Sequence, residues 1–167
     1  MRFSEIIDVT ADQYPLASSG QNNLNKVDLS KLTQIFDNPN YQIYSSDRKT
    51  YYMAIDKNAI GLINLSGWER GNYVLNVYFD PKFQSKGYGY AMYKYLIHQE
   101  QKTLSSSAAQ TPSSRKIWNH LHNDKAIKIT GSDGKNGDYV DDIYFDGETL
   151  QSNSVKRKSL VLYATSN

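Results

Sequence analysis

The stretch "DPKFQSKGYGYAMYKYLIHQ", residues 80–99, decides how this chain is interpreted, because two glycines one residue apart lie between a strand-like and a helix-like run. Lys86 directly precedes Gly87, and Gly89 follows after Tyr88. Glycine loses more backbone freedom on folding than any other residue, so this arrangement disfavours ordinary structure. The pattern therefore indicates a ligand that approaches the backbone closely.

The elements on either side of the glycines have opposite character. The run "YVLNVYF" at 73–79 is rich in β-branched and aromatic residues and predicts a strand. Tyr88, Ala91 and Met92 follow helical spacing. The first N–H groups of a helix have no internal partner, and the helix dipole adds partial positive charge there, so the loop predicts a phosphate site. A tight turn with a solvated Lys86 is the alternative.

Two familiar phosphate loops do not match this stretch. A P-loop needs its lysine after the second of two widely spaced glycines, whereas Lys86 precedes Gly87. A dinucleotide-binding loop needs a third glycine where Met92 stands.

The remaining segments predict one mixed α/β domain over residues 1–167, with helices covering the sheet. We expect helices over 28–37 and 111–124, with Asp28 and Thr111 as N-caps. The first 20 or so residues are weakly patterned, and 103–110 is ambiguous between strand and loop. The other strand-like segments are 41–46, 51–55, 60–65, 126–130, 139–145 and 159–164, and 51–55 and 60–65 are predicted to form a hairpin with its turn at 56–58.

Composition excludes several classes of function. The chain has no cysteine, so disulfides, thiolate metal sites and thiol nucleophiles are absent. The net charge of +2 is too small to argue for a nucleic-acid or anionic-membrane partner. His98, His120 and His122 are expected to be exposed helix residues, and no metal site is expected. The first ten residues carry acids and no long apolar run, so we expect a cytoplasmic protein without signal peptide or membrane span.

Residues 84–89 resemble the Gln/Arg-x-x-Gly-x-Gly/Ala pyrophosphate loop of the GNAT superfamily of N-acetyltransferases. The flanks resemble the same family, with a strand, a Pro-x-aromatic turn and a helix around the loop. "QTPSSRKIWNHL" resembles a later helix of that fold, so the similarity covers about 73–121. The resemblance implies a mostly antiparallel sheet flanked by helices, with a splayed central strand pair.

The resemblance also implies acetyl-CoA as acetyl donor, no metal, and direct attack of a primary amine on the thioester. The loop amides would wrap the pyrophosphate, the strand before it would pair with the pantetheine arm, and a backbone N–H near Tyr78 or Phe79 would polarise the thioester carbonyl. The later helix would approach the arm and the sulfur. The implied cofactor-binding residues are Val77, Tyr78, Phe79, Gln84, Ser85, Lys86, Gly87, Tyr88, Gly89, Thr111 and Trp118.

The chain departs from the family pattern at the residues that move protons. Trp118 stands where many members have the tyrosine that protonates the leaving thiolate, and Tyr73 stands where a glutamate base could have been. Tyr73 and Tyr78 are the candidates that remain for acid–base chemistry. The missing groups favour, as an alternative, a non-catalytic module of the same fold that binds acyl-CoA or a protein partner.

The acceptor is expected to be an amine-bearing small molecule or protein, and the chain a monomer or homodimer. A third class, a nucleic-acid-binding domain using Lys156, Arg157 and Lys158, has only this short basic cluster in its favour.

Overall fold

The two longest strands of the protein, β4 (Asn58–Trp68) and β5 (Gly71–Phe79), follow each other along the chain. The structure, a computed structural model, describes residues 15–68, 70–107, 110–134 and 137–167. The chain forms two compact units, and two of the boundaries between them fall within β4 and β5. The first unit holds the described residues up to Ser66 together with Val74–Met92, and the second holds Gly67–Tyr73 and Tyr93–Asn167.

The first unit contains α1, most of β4, the end of β5 and three further strands, paired in the order β1-β2-β3-β4-β5. The pairings β1–β2, β2–β3 and β3–β4 are antiparallel. The bounds are α1 Pro15–Lys26, β1 Thr33–Asp37, β2 Gln42–Ser45 and β3 Thr50–Ile55.

The hairpin predicted between β3 and β4 is confirmed. Its turn residues Asp56 and Lys57 have φ values of 49° and 64°. Two successive left-handed residues give the tight turn whose twist matches that of antiparallel strands. The hairpin supplies much of the core of this unit, in which the least exposed apolar residues are Ile43, Tyr51, Met53, Ala54, Ile60, Leu62 and Ile63.

The helix predicted over 28–37 is wrong. Asp28 caps only a 3₁₀ turn, Leu29–Lys31, and the chain then forms β1. The pairing of β1 with β2 shifts register between Gln34 and Phe36, so consecutive residues Ile35 and Phe36 are both half-buried. The irregularity gives the sequence an apolar pattern that resembles one face of a helix, because a regular strand would bury only alternate residues.

A helix that the sequence did not indicate, α1, precedes this segment. Gly20 and Leu24 are its buried residues among those described, one turn apart on the same face. Its other residues are mostly polar, which is why the apolar pattern was too weak to predict a helix. The prediction of a loose beginning lies, for residues 1–14, outside the described part of the chain.

The second unit contains α3, the start of β5 and six further strands. Five strands pair in the order β5-β6-β11-β7-β8, and β9 pairs separately with β10. The helix α2, Tyr88–His98, begins in the first unit and ends in the second. The other bounds are β6 Leu104–Ser105, α3 Pro112–Asn123, β7 Ile127–Asp133, β8 Tyr139–Val140, β9 Ile143–Phe145, β10 Leu150–Ser152 and β11 Leu160–Ser166.

The single strand predicted over 139–145 is instead two short strands, β8 and β9. Asp142 lies at the break, where its carboxylate accepts hydrogen bonds from the Ser152 hydroxyl at 2.6 Å and the Ser154 hydroxyl at 2.7 Å. These bonds lower the pKa of Asp142, led by the bond from Ser152. The ionised carboxylate therefore holds the β9–β10 hairpin together.

Strand β6 is short and pairs with its neighbours unequally. It runs parallel to β5 at only two positions, Asn72 with Leu104 and Tyr73 with Ser105. It runs antiparallel to β11, where Ser105 pairs with Tyr163. The last of these pairs involves Tyr73, and β5 continues for six more residues, to Phe79.

The mixed α/β architecture with a mostly antiparallel sheet and flanking helices is confirmed. Within 103–110, which the pattern left ambiguous between strand and loop, Leu104–Ser105 forms β6, and α3 is capped by Thr111 as predicted. None of the helices in the described part of the chain has the length and apolar character needed to cross a membrane.

We expect Gly61→Ala to destabilise the first unit, because a Cβ on Gly61 would overlap the ring of the buried Phe79. Overpacking of this kind typically lowers the free energy of unfolding by about 1–3 kcal/mol. Urea unfolding followed by circular dichroism measures the change.

The matched control is Gly67→Ala in the same strand, because a Cβ there would meet no atom within 4 Å. Its unfolding midpoint should stay close to that of the unmodified protein. Equal midpoints for the two variants would contradict the close packing of Gly61 on Phe79.

Candidate active site

Hydrogen bonds between side chains of the connection and nearby backbone atoms stabilise the turn from β5 to α2. Asp80 caps the 3₁₀ turn Pro81–Phe83, and its carboxylate accepts the N–H of Lys82 at 2.9 Å. The amide nitrogen of Gln84 then donates to the carbonyl oxygen of Phe79 at 2.8 Å. Gln84 therefore ties the start of the loop back to the last residue of β5.

The loop itself contains two left-handed residues, Ser85 with φ of 59° and Gly87 with φ of 87°. A Cβ on Gly87 would meet no atom within 4 Å, so the side of the loop to which it would point is open. Residues 84–87 are exposed. The left-handed backbone and the open space leave room for a ligand close to the loop backbone.

The loop leads directly into the N-terminus of α2. The N–H of Ala91 bonds to the carbonyl of Gly87 at 2.9 Å, which makes it the first ordinary helical hydrogen bond. The preceding N–H groups, from Tyr88 and Gly89, have no acceptor within the helix. Together with the helix dipole they form a site that can bind an anion, above all a phosphate.

Lys86 places its charge beside an aromatic ring of the preceding turn. Its Nζ lies 5.8 Å from the centre of the Phe83 ring, and that ring packs edge-on against Tyr88 at 6.1 Å. The lysine is exposed, so its ammonium can turn towards an anion at the helix end.

The side chain of Tyr78 in β5 contacts α1. Its phenol donates a hydrogen bond to the side-chain oxygen of Gln21, and the Gln21 amide donates to Asn25 at 2.9 Å. A Cβ on Gly20 would come within 2.6 Å of the Tyr78 ring, so the helix approaches closely there. Burial, and then the charge of Asp80, raise the pKa of Tyr78. At neutral pH this phenol is protonated and donates its proton to the hydrogen bond with Gln21, so it is a poor base.

The other predicted residues of β5 have different surroundings. Val77 is half-buried, while Phe79 is buried and packs against Gly61. Tyr73 belongs to the second unit, where it is half-buried and paired with Ser105.

Thr111 and Trp118 also belong to the second unit. The Thr111 hydroxyl accepts the N–H of Ser114 at 3.2 Å and so caps α3. Trp118 is only 1% exposed and packs edge-on against Tyr93, with ring centres 6.1 Å apart. Within this unit Trp118 is a packing residue, and its indole offers no proton at any useful pH.

Two of the histidines differ from expectation. His98 and His122 are half-buried rather than exposed, and a ring nitrogen of His122 lies 3.3 Å from the Ile143 carbonyl oxygen. In the described ranges of the chain, no group of three or more His, Asp or Glu side chains is placed to hold a metal ion.

Two further features have no signal in the sequence pattern. One is the contact of Gln21 with Tyr78, which joins residues 57 positions apart. The other is a cavity of about 640 Å³ in the first unit, whose lining includes Leu24, Tyr44 and Lys57. Both depend on long-range packing, which local patterns do not record.

A sequence profile of the acetyltransferase (GNAT) family matches residues 19–127, more than half of the chain. The match includes β1 to β6, α2 and α3. No curated protein is significantly similar to the chain in sequence.

Several solved structures are similar to the chain at low identity. The ribosomal-protein-S18-alanine N-acetyltransferase from Escherichia coli is 14% identical, with a TM-score of 0.40, over 78% of this chain and 71% of that one. Diaminobutyrate acetyltransferase from Paenibacillus lautus, in complex with its substrate and coenzyme A, is 15% identical, with a TM-score of 0.44, over 71% and 69%. A GNAT family acetyltransferase from Elizabethkingia anophelis with acetyl-CoA bound is 16% identical, with a TM-score of 0.41, over 76% of each chain. At such low TM-scores, the family assignment rests on the profile alone.

We expect Tyr78 and Gln21 to be energetically coupled. In a double-mutant cycle with Tyr78→Phe and Gln21→Leu, the coupling energy should be about 0.5–1.5 kcal/mol, as for an ordinary hydrogen bond. Because the pKa of Tyr78 is raised, the coupling should be constant through neutral pH. It should be lost only as the pH rises through that raised pKa, above about 10.

Tyr44→Phe is the control, since it breaks a comparable phenol–amide bond to Gln34, 2.9 Å long, in the same unit. It should show no coupling with Gln21→Leu. Additive effects of Tyr78→Phe and Gln21→Leu would contradict the hydrogen bond.

Proposed function

Because the chain belongs to the GNAT family of acetyltransferases, we propose that it transfers the acetyl group of acetyl-CoA to a primary amine of a protein, a peptide or a small molecule. The observation that carries this proposal is the open, left-handed loop at 84–89, which leads into the N-terminus of α2, where the first N–H groups have no acceptor within the helix. It supplies the fixed donors that a pyrophosphate needs.

The proposed contacts of the pyrophosphate are the backbone amides of residues 84–89. Gln84 holds the loop in shape through its bond to Phe79, and Gly87 leaves room where a side chain would stand. Lys86 adds a mobile positive charge to the phosphates.

The proposed place of the pantetheine arm is along β5, at Val77, Tyr78 and Phe79. A strand that extends past its partner leaves backbone N–H and C=O groups unpaired, and an extended ligand with amides can bond to them. A backbone N–H near Tyr78 or Phe79 then polarises the thioester carbonyl. Thr111 and Trp118 remain proposed contacts from the resemblance, with Trp118 shaping the site by packing.

In the proposed reaction the amine nitrogen attacks the thioester carbon directly, and the carbon–sulfur bond breaks as the amide forms. The amine proton leaves to water, and the thiolate takes a proton from solvent. Alignment of the reactants can contribute roughly 7–11 kcal/mol of the barrier reduction, so a dedicated acid is not required. The free thiol has a pKa of about 8.5, which allows protonation by near-neutral solvent.

The second candidate function is a non-catalytic acyl-CoA-binding or protein-interaction module of the same fold. Two residues favour it: Tyr78 already donates its proton to Gln21, and Trp118, which stands in place of the family's tyrosine, is buried. Acetyl-CoA binding without transfer to any amine in a broad panel would support this function over the enzyme.

We expect acetyl-CoA to bind at least tenfold more tightly than acetyl-pantetheine in calorimetry. The reason is that charge-assisted hydrogen bonds to the phosphates are worth about 1.5–3 kcal/mol each, and 1.4 kcal/mol is a factor of ten. Equal affinities would contradict a phosphate-binding role for residues 84–89.

Gly87→Ala should weaken acetyl-CoA binding about tenfold or more, because the new methyl group points into the space that the pyrophosphate needs. Gly147→Ala is the matched control, since Gly147 also has a left-handed φ of 101° and open space around its Cβ position. Both variants should lose similar stability through backbone strain, about 1–2 kcal/mol. If both also bound acetyl-CoA like the unmodified protein, the loop would be only a turn.

A further inference from the structure

An open cavity of about 640 Å³ lies within the first unit, between the end of α1, strand β2 and the turn that joins β3 to β4. Its volume is in the range of cavities that bind small organic molecules. None of the described residues that line it belongs to the loop at 84–89 or to positions 77–79 of β5. The cavity is therefore a second candidate site, separate from the one proposed for acetyl-CoA.

Part of the lining of this cavity is apolar. Leu24 and Tyr44 are buried, whereas Val27, Leu29 and Ala59 are only half-buried. Apolar surface that lines an open cavity is in contact with water, and its removal from water favours the binding of a ligand with an apolar part. The lining therefore favours a ligand that carries a hydrocarbon side chain.

Lys57 brings a positive charge to the cavity. It is exposed, and the structure gives its ammonium no hydrogen bond or ion pair with the described residues. It also has a left-handed φ of 64°, at a turn position where glycine is preferred because it has no Cβ. The turn itself therefore does not favour a lysine, and non-glycine residues kept in such a conformation cluster at functional sites.

Asp28 brings a negative charge to the same cavity. Its Oδ1 accepts the Ser30 hydroxyl at 2.6 Å and the Ser30 N–H at 3.1 Å, so the carboxylate has a fixed position. These bonds, led by the one from the hydroxyl, lower the pKa of Asp28 and keep it ionised at neutral pH. Its Oδ2 lies 3.6 Å from the Lys31 Nζ in an exposed pair, and such pairs contribute little energy. Oδ2 can therefore accept hydrogen bonds from a cationic group of a ligand.

We propose that this cavity binds a small zwitterion with an apolar side chain, of the class formed by apolar amino acids and short peptides of them. The ligand carboxylate pairs with Lys57, the ligand ammonium pairs with Asp28, and the apolar side chain covers Leu24 and Tyr44. Two opposite charges beside an apolar surface match this class. A ligand with a single charge would leave one of the two protein charges to oppose it.

The zwitterion bound in this way is not the acetyl acceptor. A carboxylate beside an amine favours the protonated form of the amine, so the ligand ammonium keeps its proton next to Asp28. A protonated amine has no lone pair with which to attack a thioester. Binding in this cavity therefore does not depend on acetyl transfer, and a binding measurement tests it even if the protein transfers no acetyl group.

The first test is calorimetry on the unmodified protein, with L-leucine and L-leucyl-L-leucine as the two forms of the ligand class. We expect saturable binding of at least one of them, with backbone amide NMR shifts at residues 24–30 and 57–59. 4-Methylpentanoate lacks the ammonium of leucine and 3-methylbutylamine lacks its carboxylate, so each should bind at least tenfold more weakly than the better zwitterion. Absence of binding by both zwitterions would overturn the proposal, as would equal binding of either single-charge analogue.

The second test removes the protein charges one at a time. Lys57→Met and Asp28→Asn should each weaken zwitterion binding at least tenfold, and asparagine keeps the oxygen that caps the 3₁₀ turn. Lys49→Met and Asp37→Asn are the matched controls, because both charges are exposed in the same unit and do not line the cavity. The controls should bind like the unmodified protein. Equal binding by the test variants and their controls would overturn the proposal.

Lys57→Gly separates a ligand role of the lysine from a structural one. Glycine relieves the left-handed conformation of the turn, so the thermal midpoint should stay equal or rise while binding weakens as in Lys57→Met. A lower midpoint with unchanged zwitterion binding would show that the lysine serves the turn, which would overturn the proposal.

Discussion

The hydrogen bond from the Gln84 side chain to the Phe79 carbonyl is the interaction on which the candidate site depends. It closes the loop at the point where β5 ends, so the loop starts in a fixed place relative to the strand. The left-handed Ser85 and Gly87 then turn the chain into α2. Without this tie, the N–H groups at the start of α2 would still exist, but β5 would not determine their position.

Local sequence patterns predicted the parts of the structure that local interactions determine. The strand, glycine loop and helix from 73 to 98, the β3–β4 hairpin and the Thr111 cap all follow from side-chain alternation, backbone freedom and capping chemistry. The geometry of the loop at 84–89 was predictable for the same reason, since it depends on residues adjacent in sequence.

The features that the sequence did not predict depend on contacts between distant residues. Strand β1 was mistaken for a helix because its irregular pairing with β2 buries consecutive residues. The hydrogen bond from Tyr78 to Gln21 forms only when α1 is in place. Likewise, the Ser105 hydroxyl has no hydrogen-bond partner among the described residues only because of the strands around it. A pattern of single residues cannot distinguish a free tyrosine from one that already donates its proton.

These contacts shape the chemistry available to a GNAT acetyltransferase of this sequence. Trp118 and Tyr78 do not offer an acid or a base, so the proposed transfer depends on alignment of acetyl-CoA and amine and on fixed backbone donors. Catalysis would then depend on geometry more than on ionising side chains.

The most direct test is a crystal structure of the protein with acetyl-CoA. We predict pyrophosphate oxygens within hydrogen-bond distance of backbone N–H groups in residues 84–89, and amides of the pantetheine arm paired with β5 at Val77 to Phe79. Acetyl-CoA bound instead in the cavity lined by Leu24, Tyr44 and Lys57, with the loop unoccupied, would contradict it.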